Sequence, residues 1–344
     1  MAISIPQLNA VTRNHYIPVL VDNIFKSNVL TYKMLRNSKP VSGGYRVRQP
    51  IEYDKLDDVG GTASSSFYAG TDAMTYGHKD FITAAEYEWV QAYSTAQITG
   101  LEEHTNDGPE KVVDLLESKM KNVERSMRDL FADGLYGDQG DTSSSQKRFP
   151  GLKHITKTGT SSNVLGGIDA TDVATWQCGF DKAVMDSGDA DPSFSDLTDS
   201  TDSAYIQNNF REAYGKVTIG TDVPNLIICS QVVYDAYEQT LTDQKRFGAS
   251  SKSLADAGFQ NLLYRGTPVV IDQALESAGE GNVCYFLNTK YIGFKHHRKR
   301  NFVWEDWIKP IDKDLAVGKL LWMGALCVSS RRMHSRIRNL PTAY

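Results

Sequence analysis

Two clusters in the sequence carry residue types that do chemistry. The first is the acidic run Asp186, Asp189, Asp191, Asp196, Asp199 and Asp202. Carboxylates so close together could hold calcium, which takes roughly six to eight oxygen ligands. The run lacks the ligand order and closing glutamate of an EF-hand loop, and no nonapeptide repeat accompanies it, so it reads as a solvated acidic loop. The second is Lys295-His296-His297-Arg298-Lys299-Arg300. Adjacent residues of a strand point to opposite faces, so these histidines cannot both grip one metal from a regular strand. The run reads first as a charged, solvent-facing strand end or turn. Contact of Arg298, Lys299 and Arg300 with DNA phosphates or an acidic neighbour is the second reading. The basic end, Arg331-Arg332-Met333-His334-Ser335-Arg336-Ile337-Arg338, poses the same choice. Arg336 and Arg338 are candidates for touching phosphates or a neighbour, or they are charges that keep an edge strand from pairing. The structural account is preferred.

Signatures of catalysis are missing. There is no P-loop, Gly-x-Gly-x-x-Gly, Gly-x-Ser-x-Gly or His-Glu-x-x-His, and Gly279-Glu280-Gly281 is a lone turn between strands. Cys178, Cys229, Cys284 and Cys327 form no Cys-x-x-Cys pair and sit among apolar neighbours, which implies buried, reduced thiols. A net charge of −5 excludes a chain whose main work is gripping nucleic acid, so any DNA contact must be local. The expectation is a protein with no catalytic residues, no cofactor and no metal. The start lacks a basic region followed by an apolar one, and the longest apolar stretch, Leu320–Val328, is about half a membrane span. A soluble product made in the cytoplasm, with no membrane partner, follows.

The elements that must position these residues are legible in outline. With 344 residues the chain exceeds the roughly 250–300 that one core supports, so two lobes, or one with large excursions, are expected. Residues 1–40 read as an arm that packs against something, with a short helix around Val19–Lys26. Tyr45, Val47, Ile51 and Tyr53 alternate with polar residues, and alternation resumes from Phe81 through Tyr87, Trp89, Tyr93 and Ile98. Between them stands Gly60-Gly61-Thr62-Ala63-Ser64-Ser65-Ser66, then Gly70 and Gly77. The pattern predicts a long β-hairpin with a pliant tip. A helix from Pro109 to Leu135, with an apolar stripe at Val112/Val113, Leu116, Met120, Val123, Met127 and Leu130/Phe131, should lie across a sheet as a beam ended by Gly134 and Gly137. Further helices are expected at Ala170–Asp186, Asp202–Tyr214 and Ser230–Gln239, the last capped by Ser230. Strands are expected at Asn225–Cys229, Thr267–Ile271, Val283–Leu287, Tyr291–His296 and within Gly318–Arg332.

The order of these parts resembles the HK97-type major capsid proteins of tailed bacteriophages. Local phrases look like the same family: Phe25-Lys26-Ser27-Asn28-Val29-Leu30 ahead of Gly43-Gly44-Tyr45-Arg46-Val47, and Trp89-Val90-Gln91-Ala92 leading to Ile98-Thr99-Gly100-Leu101-Glu102. So do Pro224-Asn225-Leu226-Ile227-Ile228-Cys229-Ser230, Tyr264-Arg265-Gly266-Thr267-Pro268-Val269 and Tyr285-Phe286-Leu287-Asn288-Thr289-Lys290-Tyr291. The resemblance spans nearly the whole chain, and its weight lies in order and spacing.

The resemblance implies an α+β fold with an N-terminal arm (1–40), an E-loop hairpin with flanking strands (41–100), a P-domain with a long spine helix (101–165), an A-domain (166–290) and a return to the P-domain (291–344). It implies a major capsid protein in the virion, assembled in the host cytoplasm into pentamers and hexamers of an icosahedral head around double-stranded DNA. A-domains would meet at the local axes and each E-loop would lie over a neighbour's P-domain. Tyr45, Tyr53, Phe67, Tyr68 and Tyr76 are then the contact candidates between subunits. Partners implied are other copies of the chain, a separate scaffolding protein (no long helical scaffolding segment precedes the arm), a portal protein and packaged DNA. Lys55 and Lys79 lie in the hairpin, and nothing marks either for a covalent crosslink. The alternatives are an encapsulin-like nanocompartment shell and a two-domain metal-dependent enzyme using the Asp186–Asp202 or His296-His297 cluster.

Overall fold

Apolar spacing sets the longest element. The computed structural model describes residues 12, 28–53, 58–59, 62–63, 67, 69–72, 81–105, 109–138, 148–159, 163–173, 175–184, 196–202, 204–241 and 261–341. In the first half, helix α1 (Val29–Arg36) precedes strands β1 (Lys39–Val41), β2 (Val47–Glu52), β3 (Asp58–Val59), β4 (Thr62–Ala63), β5 (Ile82–Tyr87) and β6 (Val90–Thr99). Helices α2 (Gly100–Thr105), α3 (Pro109–Tyr136) and α4 (Leu152–Ile155) follow, then β7 (Val164–Leu165), β8 (Ile168–Asp169) and β9 (Phe180–Ala183). The second half runs α5 (Ile206–Val217), β10 (Leu226–Cys229), α6 (Gln231–Gln239), β11 (Asn261–Tyr264), β12 (Thr267–Ile271) and α7 (Ala274–Ser277). It closes with β13 (Cys284–Leu287), β14 (Ile292–His297), β15 (Val303–Ile308), β16 (Leu315–Val328) and β17 (Ser335–Arg338).

Helix α3 has 28 residues and begins on Pro109, a length of about 42 Å at 1.5 Å per residue. Leu116, Met120, Val123, Met127, Phe131 and Leu135 are all buried, a stripe at steps of three and four. Beneath it lies a sheet in which β16 pairs on one edge with β14 and then β15, and on the other with β6, while β1 joins β14 in parallel. The ring of Phe131 meets those of Phe149, Phe294, Phe302 and Trp322, with centroids 4.9–6.1 Å apart. Gly134 does not end the helix as expected. A Cβ there would stand 2.9 Å from the Phe149 ring, so the glycine permits a close approach inside the helix, which runs on to Tyr136.

The second sheet has the order β11-β12-β10-β13-β17-β9. Both faces are covered, which is why all four residues of β10 are buried. Leu226 and Ile228 belong to the core shared with α3, whereas Ile227 and Cys229 face a second core built with α5 and α6. One sheet therefore divides two hydrophobic clusters, in line with the two lobes expected from chain length. All four cysteines are buried and free.

Several expectations need correction. No helix spans the described part of Ala170–Asp186. Asp169 accepts the backbone N–H of Thr171 to make a turn, and Phe180–Ala183 pairs as β9 in parallel with β17. Helix α5 starts at Ile206, later than Asp202, because the Asp202 carboxylate accepts the Ala204 N–H in a turn before it. Ser230 does precede α6, but its hydroxyl makes no cap bond. Gly279 follows the short helix α7 instead of joining two strands directly. The expected helix at Val19–Lys26 lies outside the described residues.

Candidate assembly surfaces

The hairpin expected from alternation is present at its base. β2 and β5 pair antiparallel from Val47↔Tyr87 to Glu52↔Ile82. Val47, Ile51, Ala85 and Tyr87 turn inward and are buried. Across the outer face, Arg46 and Arg48 both reach Glu86, at 3.1 and 2.8 Å. Exposed pairs of this kind stabilise by only about 0–1 kcal/mol, so their main effect is to fix register. The Arg46 hydrogen bond comes first among the causes that lower the Glu86 carboxyl pKa.

Three contacts fix this base to the body. The Tyr87 hydroxyl donates to Val328 O and accepts from Val328 N, which ties β5 to the end of β16. Trp89 Nε1 donates to Gly44 O at 2.8 Å, and its ring meets His297 edge-on with centroids 5.8 Å apart. Glu86 N donates to Gly166 O. Gly43 and Gly44 have φ of +135° and +121°, conformations that only glycine adopts readily, so the chain enters the hairpin through a bend that other side chains would resist.

The aromatic candidates differ in placement. Tyr45 is 91% exposed, with the Arg46 guanidinium 5.5 Å from its ring centre. Phe67 is fully exposed. Tyr53 is half-buried, and its carbonyl accepts from Thr175. Tyr68 and Tyr76 lie outside the described residues, as do Lys55, Lys79 and much of the hairpin tip.

One surface escaped the sequence reading. On the sheet face opposite α3, Tyr93, Leu321 and Val303 stand in one register row across β6, β16 and β15. Tyr93 is 68% exposed and Val303 is exposed, with Leu321 half-buried between them. Ile308, Ile311 and Leu101 extend exposed apolar area toward the end of the same sheet. The sequence periodicity counted Tyr93 together with Ile98, but the two stand on opposite faces of β6, Ile98 buried and Tyr93 exposed. At the opposite side, Trp307 Nε1 donates to Thr12, a residue of the N-terminal arm, at 3.1 Å.

The two basic segments separate sharply. Arg298, Lys299 and Arg300 are exposed on the turn after β14. Arg336 is buried, and its guanidinium binds Asp181 at 2.7 Å while Nη1 donates to Lys153 O. Burial works against that charge, but Asp181 outweighs it and holds the guanidinium pKa above its ordinary value. The reading of Arg336 as a phosphate or neighbour contact is therefore not carried forward: its donors are committed inside the subunit. Arg338 shares the same aspartate while remaining partly exposed. β17 is no edge strand either, since it lies between β13 and β9.

The acidic run is also local in its work where described. Asp196, Asp199 and Asp202 accept the backbone N–H groups of Thr198, Thr201 and Ala204, while Asp186, Asp189 and Asp191 lie outside the described residues. Among the described residues His296 pairs with no carboxylate, and burial lowers its pKa. Among the described residues no group of three or more His, Cys, Asp or Glu is arranged to hold a metal. No described helix is long and apolar enough to cross a membrane.

No family model matches the chain, and no curated protein does. Solved structures do match over most of its length. The capsid of cyanophage A-1(L) aligns with a TM-score of 0.56 at 15% identity, covering 88% of this chain and 91% of that one. The backbone has the HK97-type capsid fold. The capsid of Myoviridae phage XM1 shares it at TM-score 0.52 and 10% identity, covering 91% and 92% of the two chains. So does the SrpI encapsulin of Synechococcus elongatus, at TM-score 0.50 and 10% identity over 90% and 88%.

Proposed function

We propose that this chain is the major capsid protein of a tailed phage, a structural subunit that assembles into pentamers and hexamers of an icosahedral head around double-stranded DNA. The observation that carries the reading is the pairing of an HK97-type backbone with a hairpin, β2 and β5, that among the described residues forms a two-stranded sheet by itself. A lone two-stranded ribbon is marginally stable in water. It gains stability when another subunit covers it, and the row Tyr93–Leu321–Val303 on the sheet is an apolar surface of the kind such a contact uses. Tyr45, Tyr53, Phe67, Tyr68 and Tyr76 remain the hairpin's contact candidates. Other copies of the chain are the principal partners, with a scaffolding protein, a portal protein and packaged DNA as the further ones. The place of action is the virion, after assembly in the host cytoplasm, and no catalytic step belongs to the role.

Negative-stain electron microscopy of the expressed chain, with and without a scaffolding protein, tests this. Capsomers, tubes or closed shells are expected; a stable monomer with measurable turnover and stoichiometric metal overturns the reading. Deleting Asp57–Thr75 is expected to leave a folded subunit that no longer closes shells. The encapsulin match supports a second reading, a nanocompartment shell. Purified shells containing nucleic acid support the phage head, and shells containing a protein cargo support the compartment.

A further inference from the structure

Of the four free, buried cysteines, two meet. Cys229 ends β10, Cys284 begins β13, and antiparallel pairing sets them directly opposite each other. Both are fully buried in the core built with α5 and α6, so their side chains leave the sheet on the same face. The two thiols are in hydrogen-bonding contact. Opposed residues of an antiparallel pair have Cα atoms about 4.5–5.5 Å apart, inside the roughly 4.4–6.8 Å that a disulfide spans. Their Cβ atoms, at about 4.5–5.5 Å, stand at or beyond the ~3.5–4.5 Å of a relaxed disulfide. A bond between them therefore needs little movement of the strands, but it forms under strain and is easily reduced again.

The other two cysteines are placed differently. Cys327 of β16 lies opposite Gly293, which has no side chain, and belongs to the core shared with α3. The Cys178 thiol donates to the carbonyls of His334 and Phe180. Burial first, and then the contact with Cys229, push the Cys284 pKa well above its ordinary value, so in the closed sheet that thiol keeps its proton. The thiolate is the reacting form, and exchange therefore proceeds when β10 and β13 part. Because the two cysteines stand at one end of their ladder, only that end has to open.

We propose that Cys229 and Cys284 are a redox pair, a dithiol in a reducing medium and an intrachain disulfide in an oxidising one. The oxidant is a small-molecule disulfide of the glutathione class. One cysteine gives its proton to solvent and its thiolate attacks a sulfur of the oxidant, whose S–S bond breaks and releases one thiolate. The second cysteine, deprotonated in turn, attacks the first cysteine's sulfur in the mixed disulfide and releases the other half. The protein thiols lose two electrons and two protons, and the oxidant is reduced to two thiols. The chemistry is independent of assembly, whereas its use rests on the shell-subunit reading above. A chain made in a reducing cytoplasm assembles with the pair open, and release into an oxidising medium closes it. The link then ties β10 to β13 at the centre of the sheet that divides the two cores.

The test incubates the full chain, as unassembled subunit and as particles, with reduced glutathione or with glutathione disulfide. Remaining thiols are then alkylated in denaturant and located by peptide mass spectrometry. After reduced glutathione all four cysteines should be alkylated. After glutathione disulfide only Cys178 and Cys327 should be, and a peptide joined through Cys229 and Cys284 should appear that dithiothreitol separates. Urea just below the unfolding transition should speed the oxidation, since it opens the sheet. The variants C229S and C284S should each lack the internal link; where either fails to fold, the wild-type peptide map decides. Four free thiols after oxidation in that urea overturn the proposal, and so does a link that runs through Cys178 or Cys327 or between chains. Shells that form but keep the pair reduced in glutathione disulfide overturn it too. If the link forms and the chain yields no rings or shells, the redox pair stands and it is the shell reading that fails.

Discussion

The segments 295–300 and 331–338 look alike as sequence, each a run of cations with histidine among them, yet the fold uses them in opposite ways. The first ends a strand and projects its charge from a turn. The second crosses from one core to the other, and Arg331 and Arg336 are buried on the way. Among the described residues Arg331 pairs with no carboxylate; its guanidinium donates instead to the carbonyls of His154, Ile155, Lys157 and Trp176 and to the side chain of Asn163. Burial pushes its pKa down to about 10, so it remains charged at neutral pH. The lesson is that a basic run reports charge, while the neighbouring backbone decides whether that charge binds outward or holds loops together.

The largest expected effect follows from Arg331. Arg331→Met should remove the donors from five acceptors and leave several of them buried without partners. A loss of at least about 3 kcal/mol in unfolding free energy is expected, measured by denaturant titration of the unassembled subunit. Arg331→Lys, which keeps the charge but not the planar fork, should recover only part of it. An unchanged midpoint in the methionine variant would break the contrast between the two segments.

Asp181 comes next. It accepts from Arg336 at 2.7 and 3.1 Å and from Arg338 at 3.2 Å, and the side chains of both Arg336 and Asp181 are buried. Asp181→Ala leaves a buried guanidinium uncompensated, at a cost of about 3 kcal/mol. Replacing both partners, as in Asp181→Leu with Arg336→Met, should recover much of that loss, because a buried ion pair exchanged for well-packed apolar groups is often near neutral. Chemical-denaturation midpoints of the single and double variants distinguish the outcomes.

What could be read from sequence was whatever depends on local periodicity. The stripe of α3 from Leu116 to Phe131, the inward residues Val47, Ile51 and Tyr87 of the hairpin, and the apolar runs of β10, β12 and β13 fell where the pattern put them, whereas Leu130, Tyr45 and Tyr93, counted with the same periodicities, are exposed. What could not be read depends on partners far along the chain. β17 is an interior strand because β9, some 150 residues upstream, pairs with it in parallel. The same pairing turns Phe180–Ala183 into strand where a helix was expected. The buried role of Arg336 is invisible without Asp181 opposite it. For the assembly surfaces, the hairpin was legible from its glycines and aromatics, but the row Tyr93–Leu321–Val303 exists only through strand register.

A pH dependence sharpens the comparison further. His334 lies between the two buried arginines in sequence and is itself fully buried, its Nδ1 accepting from Asn288 N at 3.3 Å. Desolvation first, and then the charge of Arg331, lower its pKa from 6.5 to about 3. The folded state therefore refuses a proton that the unfolded chain takes up. The stability that this group contributes is present above about pH 6.5 and is lost as pH falls toward about 3, at about 1.4 kcal/mol per pH unit from this group. Burial lowers the pKa of His154 as well and acts in the same direction. Unfolding midpoints at pH 7.5 and 5.0 should show the loss, and His334→Asn should flatten the slope.

The smallest expected effect is at the exposed corner. Single alanine substitutions at Arg298, Lys299 or Arg300 remove side chains that make no ion pair within the described subunit, so each should change subunit stability by no more than about 0.5 kcal/mol. Removing one of several like charges at neighbouring positions should, if anything, raise the unfolding midpoint, most visibly at low ionic strength where screening is weakest. A loss of several kcal/mol at any of the three positions would mean that the turn is held from within, as the 331–338 segment is, and the difference in how the fold uses the two basic runs would then disappear.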